Sequence, residues 1–164
     1  PIGICSGPME FGPRALGNRS FLMRATNPDN AKILNQVKNR ELWRPSAPIM
    51  NLRAAEGLLC DAKKSESMLF AFEATERMKL LYPAAVHVDG TSRSQVVNSE
   101  EMSPDLKSVY SHVSSSLEDD CLLNTSLNID APICLDDRNA MHLLRNTRLK
   151  GLVIEDILIY KEAN

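Results

Sequence analysis

The sequence predicts an α/β fold of mixed α+β character, one twisted mixed sheet flanked by helices. Short apolar runs, such as residues 2–6, 121–124 and 152–154, suit buried strands. One long amphipathic stripe, Leu106, Val109, Tyr110, Val113 and Leu117, suits a helix lying on a sheet. Strands joined by helices alternate with strands joined by tight turns, which indicates a mixed rather than a strictly parallel sheet.

Taken in order, residues 2–6 form a strand that Gly7-Pro8 ends. Residues 9–20, MEFGPRALGNRS, break regular structure, and Phe21, Leu22 and Met23 return the chain to the core. Asn27-Pro28-Asp29 reads as a helix start, with an Asn cap, Pro at the first position and an acid in the first turn. Ile33, Leu34 and Val37 give that helix its inner face, and Lys38 lies near its end. Pro45 and Pro48 force extended backbone, so residues 46–52 read as a strand, 53–64 as a short helix and charged loop, and 68–74 as a further strand.

Residues 84–88 and 94–97 read as a hairpin turning at Gly90-Thr91, which would put His87 and Asp89 on one strand face. Ser103-Pro104 opens the amphipathic helix, and residues 121–124 feed the polar loop Thr125-Ser126-Leu127-Asn128. Asp136 caps the last helix, with Ala140, Leu143 and Leu144 inward and Arg145, Arg148 and Lys150 gathered before Gly151. Residues 152–154 and 157–160 close the chain as two strands.

The 164 residues suit a single domain with a substantial core, at 43% hydrophobic and 24% charged. No apolar run approaches the ~18 residues of a membrane span, and the amino terminus has no signal-type head. Cys5, Cys60, Cys121 and Cys134 are far apart and form no C-x-x-C pair, against a structural zinc or a disulfide framework. A cytoplasmic, reduced protein is expected, with Cys5, Cys121 and Cys134 as small buried side chains. The opening PIGICSG reads as a strand begun mid-element, so the chain is expected to be a fragment of something longer.

The net charge of −2 conceals an asymmetry, since residues 1–53 hold eight Lys/Arg against three Asp/Glu. A basic third in an acidic chain points to a local anion site more than to a nucleic-acid-coating surface. Its candidates are Arg14, Lys38, Arg40 and Arg44, with Arg93 from further along the chain. Guanidinium groups fork onto phosphate and carboxylate oxygens, and converging cations offset the desolvation of such a ligand. No G-x-x-x-x-G-K-S/T is present, so this is not a P-loop. Arg19, Asn18 and Ser20 share the stretch with Arg14, while Gly12 and Gly17 give it conformational freedom. His87 and Asp89 make an incomplete metal set, and a hydrogen-bonded structural histidine is the commoner outcome. Trp43 is expected to pack against the sheet rather than to stack on a base.

MEFGPRALGNRS resembles the signature of the O-carbamoyltransferases, a family that includes nodulation-protein and antibiotic-biosynthesis carbamoyltransferases. LNQVKNRELWRPSAP (34–48), PAAVHVDGTSRSQVV (83–97) and LLNTSLN (122–128) agree in order. The resemblance covers nearly all of residues 1–164, as the family's carboxyl-terminal domain alone. It implies a YrdC-like fold and formation of carbamoyl-adenylate from carbamoyl phosphate and ATP, with Mg²⁺ on the phosphates. It also implies a Kae1-like domain, in the same or another chain, that passes the carbamoyl group to a substrate hydroxyl.

Lys38-Asn39-Arg40 and Ser126-Leu127-Asn128 are similar to the K-x-R and S-x-N elements of YrdC-like domains. The resemblance assigns catalysis to Lys38, Arg44, Arg93, Ser126 and Asn128. It assigns substrate and nucleotide binding to Arg14, Asn18, Arg19, Arg40 and His87, with no protein-bound metal. Three departures stand out. Pro8 replaces the usual Arg, Ser46 the usual aromatic, and Ile129-Asp130-Ala131-Pro132-Ile133 a loop that normally carries Gly-Glu. A catalytically inactive nucleotide- or anion-binding module and an RNA-binding domain stay open as alternatives; the acidic balance and 5% aromatic content count against RNA.

Overall fold

The computed structural model describes residues 1–162. Nine strands and five α-helices follow one another as β1 (Ile2–Cys5), β2 (Arg19–Arg24), α1 (Asn30–Val37), β3 (Ala47–Asn51), α2 (Leu52–Leu58), β4 (Phe72–Glu73), α3 (Glu76–Leu81), β5 (Thr91–Ser92), β6 (Gln95–Val97), α4 (Pro104–Leu117), β7 (Leu122–Ser126), α5 (Asp137–Asn146), β8 (Gly151–Ile154) and β9 (Ile157–Tyr160). Seven strands form one sheet in the order β6-β3-β7-β2-β1-β8-β9, and β4 and β5 form a separate two-stranded ribbon. The pairs β1–β8 and β3–β6 are parallel and the other four antiparallel, the mixed α/β architecture expected.

Side chains alternate across this sheet with the strand period of two. Ile4, Leu22, Ile49, Val97 and Leu122 share one cluster with Leu106 and Tyr110 of α4. Cys5, Phe21, Met50, Val96 and Leu123 face the opposite way, onto Leu34, Ala55, Met78 and Leu144 of the other four helices. The helix from Ser103-Pro104 therefore covers one face alone, although Leu117 at its end is exposed rather than inward. Asp136 caps α5 as expected, accepting the Asn139 N–H at 2.9 Å. Cys5, Cys121 and Cys134 are buried. No helix among the described residues is long and apolar enough to cross a membrane.

Several elements differ from expectation. Residues 84–88 are not a strand: Pro83–Ala85 form a 3₁₀ turn, a start that the fixed φ of Pro83 favours. The expected hairpin is absent, because β5 pairs with β4 and β6 runs parallel to β3. Of residues 68–74 only Phe72–Glu73 are strand. Asn27 accepts the Asp29 N–H at 2.9 Å in a turn, and the helix starts three residues later, at Asn30. Trp43 is 78% exposed and not packed on the sheet.

Candidate functional site

The connection between β1 and β2 is held by one carboxylate. Glu10 is buried, and its Oε1 accepts the backbone N–H groups of Leu16 and Asn18, each at 2.8 Å, and of Arg19 at 3.2 Å. This wraps the loop into a fixed curl and leaves Arg14 exposed on the outside of it. Gly17 completes the curl at φ +121°, where a Cβ would stand 2.3 Å from Leu106 Cδ2. From below, Asn124 of β7 donates to Ala15 O at 3.1 Å, and Gln95 of β6 donates to Leu16 O at 3.1 Å. Both reach up from the sheet to hold the loop against it.

A second loop, between α1 and β3, is held in the same manner by the buried Asn35. Its Nδ2 donates to Leu42 O at 3.1 Å and Arg44 O at 2.8 Å, and its Oδ1 accepts from Arg40 Nε at 2.6 Å. Arg40 also donates to Ser46 Oγ at 3.3 Å, so Ser46, one of the three departures noted in the sequence, anchors the guanidinium.

These loops meet at the end of β7 around a pocket of about 120 Å³, lined among others by Arg14, Arg40, Arg93, Ser46, Asn124 and Ser126. Three guanidinium groups thus share one small cavity. Burial, and then Arg44, lowers Arg40 to about 10, with Arg93 adding to it; burial and then Arg14 lower Arg93. Neighbouring cations make Arg40 and Arg93 harder to charge, and a bound anion would relieve both. Two buried polar atoms of the pocket lining, Arg93 Nε and Asn124 Oδ1, have no partner.

Lys38 stands behind Ser126 rather than in the pocket wall. Its ammonium donates to Ser126 O, to Ser126 Oγ at 3.3 Å, to Asn128 O at 3.0 Å and to Asn128 Oδ1 at 2.8 Å. Ser126 Oγ donates to Asn128 Oδ1 at 2.6 Å, and Asn128 Nδ2 to Ala131 O. Burial, then Arg40 and Arg44, push Lys38 down to about 7. The turn of residues 129–133 takes its left-handed residue at Asp130, φ 49°, so Ala131 is spared that conformation.

Of the ten residues singled out in the sequence, Arg14, Arg40, Arg93 and Ser126 line the pocket, and Lys38 and Asn128 join it through Ser126. Arg44 is half-exposed and pairs with Glu41 at 3.7 Å, close enough to bear on Lys38 and Arg40 but outside the lining. Arg19 turns inward, its Nη1 donating to Ser6 O at 2.9 Å and to Gly7 O and Asn18 O at 3.1 Å. Asn18 donates to Pro8 O at 2.8 Å. Arg19 and Asn18 therefore shape the loop instead of facing a ligand. His87 lies in a turn, its Nδ1 3.2 Å from Thr91 Oγ1, and burial, with Arg93 near, lowers its pKa.

Glu10, Asn35, Gln95 and Asn124 escaped the sequence reading. A polar residue inside an apolar strand, as in QVV and LLN, was the available signal for the last two.

Fold and pocket together define an α/β domain with a small, cation-lined pocket. The chain belongs to the carbamoyltransferase C-terminal family, whose model matches residues 1–161. It is 37% identical over 131 residues to nodulation protein U of Rhizobium tropici, covering 79% of this chain and 22% of that protein. It is 36% identical over 165 residues to nodulation protein NolO of Bradyrhizobium diazoefficiens, covering 98% and 30%. Nodulation protein NolNO of Sinorhizobium fredii is 37% identical over 173 residues, covering 99% and 24%. The chain thus spans between a fifth and a third of the length of these relatives.

Proposed function

We propose that this domain activates a carbamoyl group, taking carbamoyl phosphate and ATP to carbamoyl-adenylate. A Kae1-like domain, in the same chain or a partner, would then pass the group to a substrate hydroxyl. The observation that supports this most is the convergence of Arg14, Arg40, Arg93 and Ser126 on one pocket, with Lys38 behind it. At about 120 Å³ the pocket is small. That suits a carbamoyl or phosphoryl group, while the adenosine of ATP would lie outside.

With one water consumed, the products that balance are carbamoyl-adenylate, pyrophosphate and inorganic phosphate. The guanidinium groups would hold the charged oxygens and stabilise charge building on the leaving pyrophosphate. The named cavity residues supply guanidinium, hydroxyl and amide groups and no carboxylate, so Mg²⁺ would be held by the phosphate oxygens of the nucleotide.

A second reading, an anion-binding module without turnover, draws support from Asn128. Its amide is spent on Lys38, Ser126 and Ala131 and turns no free atom to a ligand. Titration calorimetry with carbamoyl phosphate tests the binding shared by both readings. Saturable binding is expected, lost in Arg93→Ala; no binding would refute both.

A further inference from the structure

We propose that Asn124 is a specificity-determining residue whose side-chain oxygen accepts the amino group of a carbamoyl ligand. This rests on the reading that the pocket takes carbamoyl phosphate. Asn124 is only 1% exposed and belongs to the lining of the pocket. Its amide orientation is set from two sides, because Nδ2 donates to Ala15 O at 3.1 Å and to Gln95 Oε1 at 2.7 Å. Gln95 is fixed in turn, since its own Nε2 donates to Leu16 O at 3.1 Å and leaves only its oxygen to face Asn124. The network therefore commits Asn124 Oδ1 to the unpaired end of the amide, and it has no partner within the protein.

A buried polar atom without a partner is uncommon enough in a native fold to require an explanation, and a ligand that completes the bond supplies one. The charged groups in the wall, Arg14, Arg40 and Arg93, can only donate. A matching ligand thus carries anionic oxygens for the guanidinium groups together with an N–H for Asn124. Carbamoyl phosphate has both. Acetyl phosphate has nearly the same shape and charge but presents a methyl group where the amino group would be, and would bury Oδ1 unpaired. An unmade buried hydrogen bond of this kind corresponds to roughly 10- to 100-fold in affinity.

The test is calorimetry on the chain at pH 8, where both acyl phosphates are dianions, with carbamoyl phosphate and acetyl phosphate as the probes. The protein is expected to prefer carbamoyl phosphate by roughly 10- to 100-fold. Asn124→Ala, or the gentler Asn124→Ser, brings the two affinities within about twofold of each other; losing the bond to Ala15 O loosens the loop for both ligands, so the readout is their ratio. Equal affinities in the unaltered protein, or an unchanged ratio in the folded Asn124 variants, overturns the proposal and leaves the site reading intact. Failure of carbamoyl phosphate to bind the unaltered protein overturns both.

Discussion

Replacing Lys38 with methionine separates a buried lysine that titrates from one that is simply charged. In the folded protein Lys38 is brought down to about 7 by burial and by Arg40 and Arg44. In the unfolded chain an ordinary lysine titrates near ~10.4. Between those values the unfolded state binds more protons than the folded state, so stability rises with pH across that window. The contribution is complete above the unfolded value and is lost as pH falls to the folded one; below that, both states are charged and it is flat. One titrating group gives a slope of about 1.4 kcal/mol per pH unit, hence roughly 2.7 kcal/mol from pH 7.5 to 9.5. For a domain of this size that is a rise of about 5–10 °C in melting temperature.

Lys38→Met abolishes this component, and it also strips Ser126 O and Asn128 O of a donor, a loss of about 1–3 kcal/mol apiece. Thermal unfolding of both proteins at half-unit steps of pH is the assay. The difference between the two curves should widen in favour of the unaltered protein as pH rises. Parallel curves would refute a depressed Lys38. The four oxygens around the ammonium favour its charged form, so parallel curves would mean that they outweigh burial.

Glu10→Gln keeps the shape of the loop anchor but replaces a carboxylate that accepts three N–H groups, and should cost about 1–3 kcal/mol in denaturant unfolding. Gly17→Ala must force a Cβ against Leu106 at positive φ, so a loss of about 2–4 kcal/mol is expected; a loss below 0.5, by the same ~25 °C measurement, would show that the curl adapts. Arg19→Met should destabilise by about 1.5–3 kcal/mol while leaving the carbamoyl phosphate affinity of the folded fraction within about twofold, since its guanidinium serves backbone carbonyls. A large affinity loss with unchanged stability would put Arg19 in the ligand site.

The strands and helices that a sequence announces are those with their own local signals. The stripe of α4, the Asp136 cap of α5 and the closing pair β8 and β9 are of that kind, and each formed where expected. β2 announces itself less, because RSFLMR carries a charge at each end and a continuous apolar middle, though it is central to the sheet. The hairpin over residues 84–97 failed for a different reason: its strands find partners far away in sequence, β6 beside β3 and β5 beside β4, and no local turn chemistry reports that. α3 is six residues long with a Thr75 cap, too short for a periodic pattern. At the site, Arg14, Lys38 and Arg40 were legible as residue types in a basic third of the chain, and Arg93 from further along it. That Arg19 points inward while Arg14 points outward was not, because the difference is made by Glu10 curling the loop between them.

The central claim is that the cation-lined pocket serves carbamoyl activation, and the most direct measurement is release of pyrophosphate from ATP that depends on carbamoyl phosphate. The chain, supplied with Mg²⁺, ATP and carbamoyl phosphate, is expected to release pyrophosphate slowly, given the engagement of Asn128 and the altered loop at residues 129–133. Arg93→Ala and Arg40→Ala should each abolish that release, Arg93→Ala while leaving the melting temperature of the ligand-free protein within about 3 °C, a change of roughly 1 kcal/mol. Release that persists in both variants, or that proceeds equally without carbamoyl phosphate, would contradict the assignment.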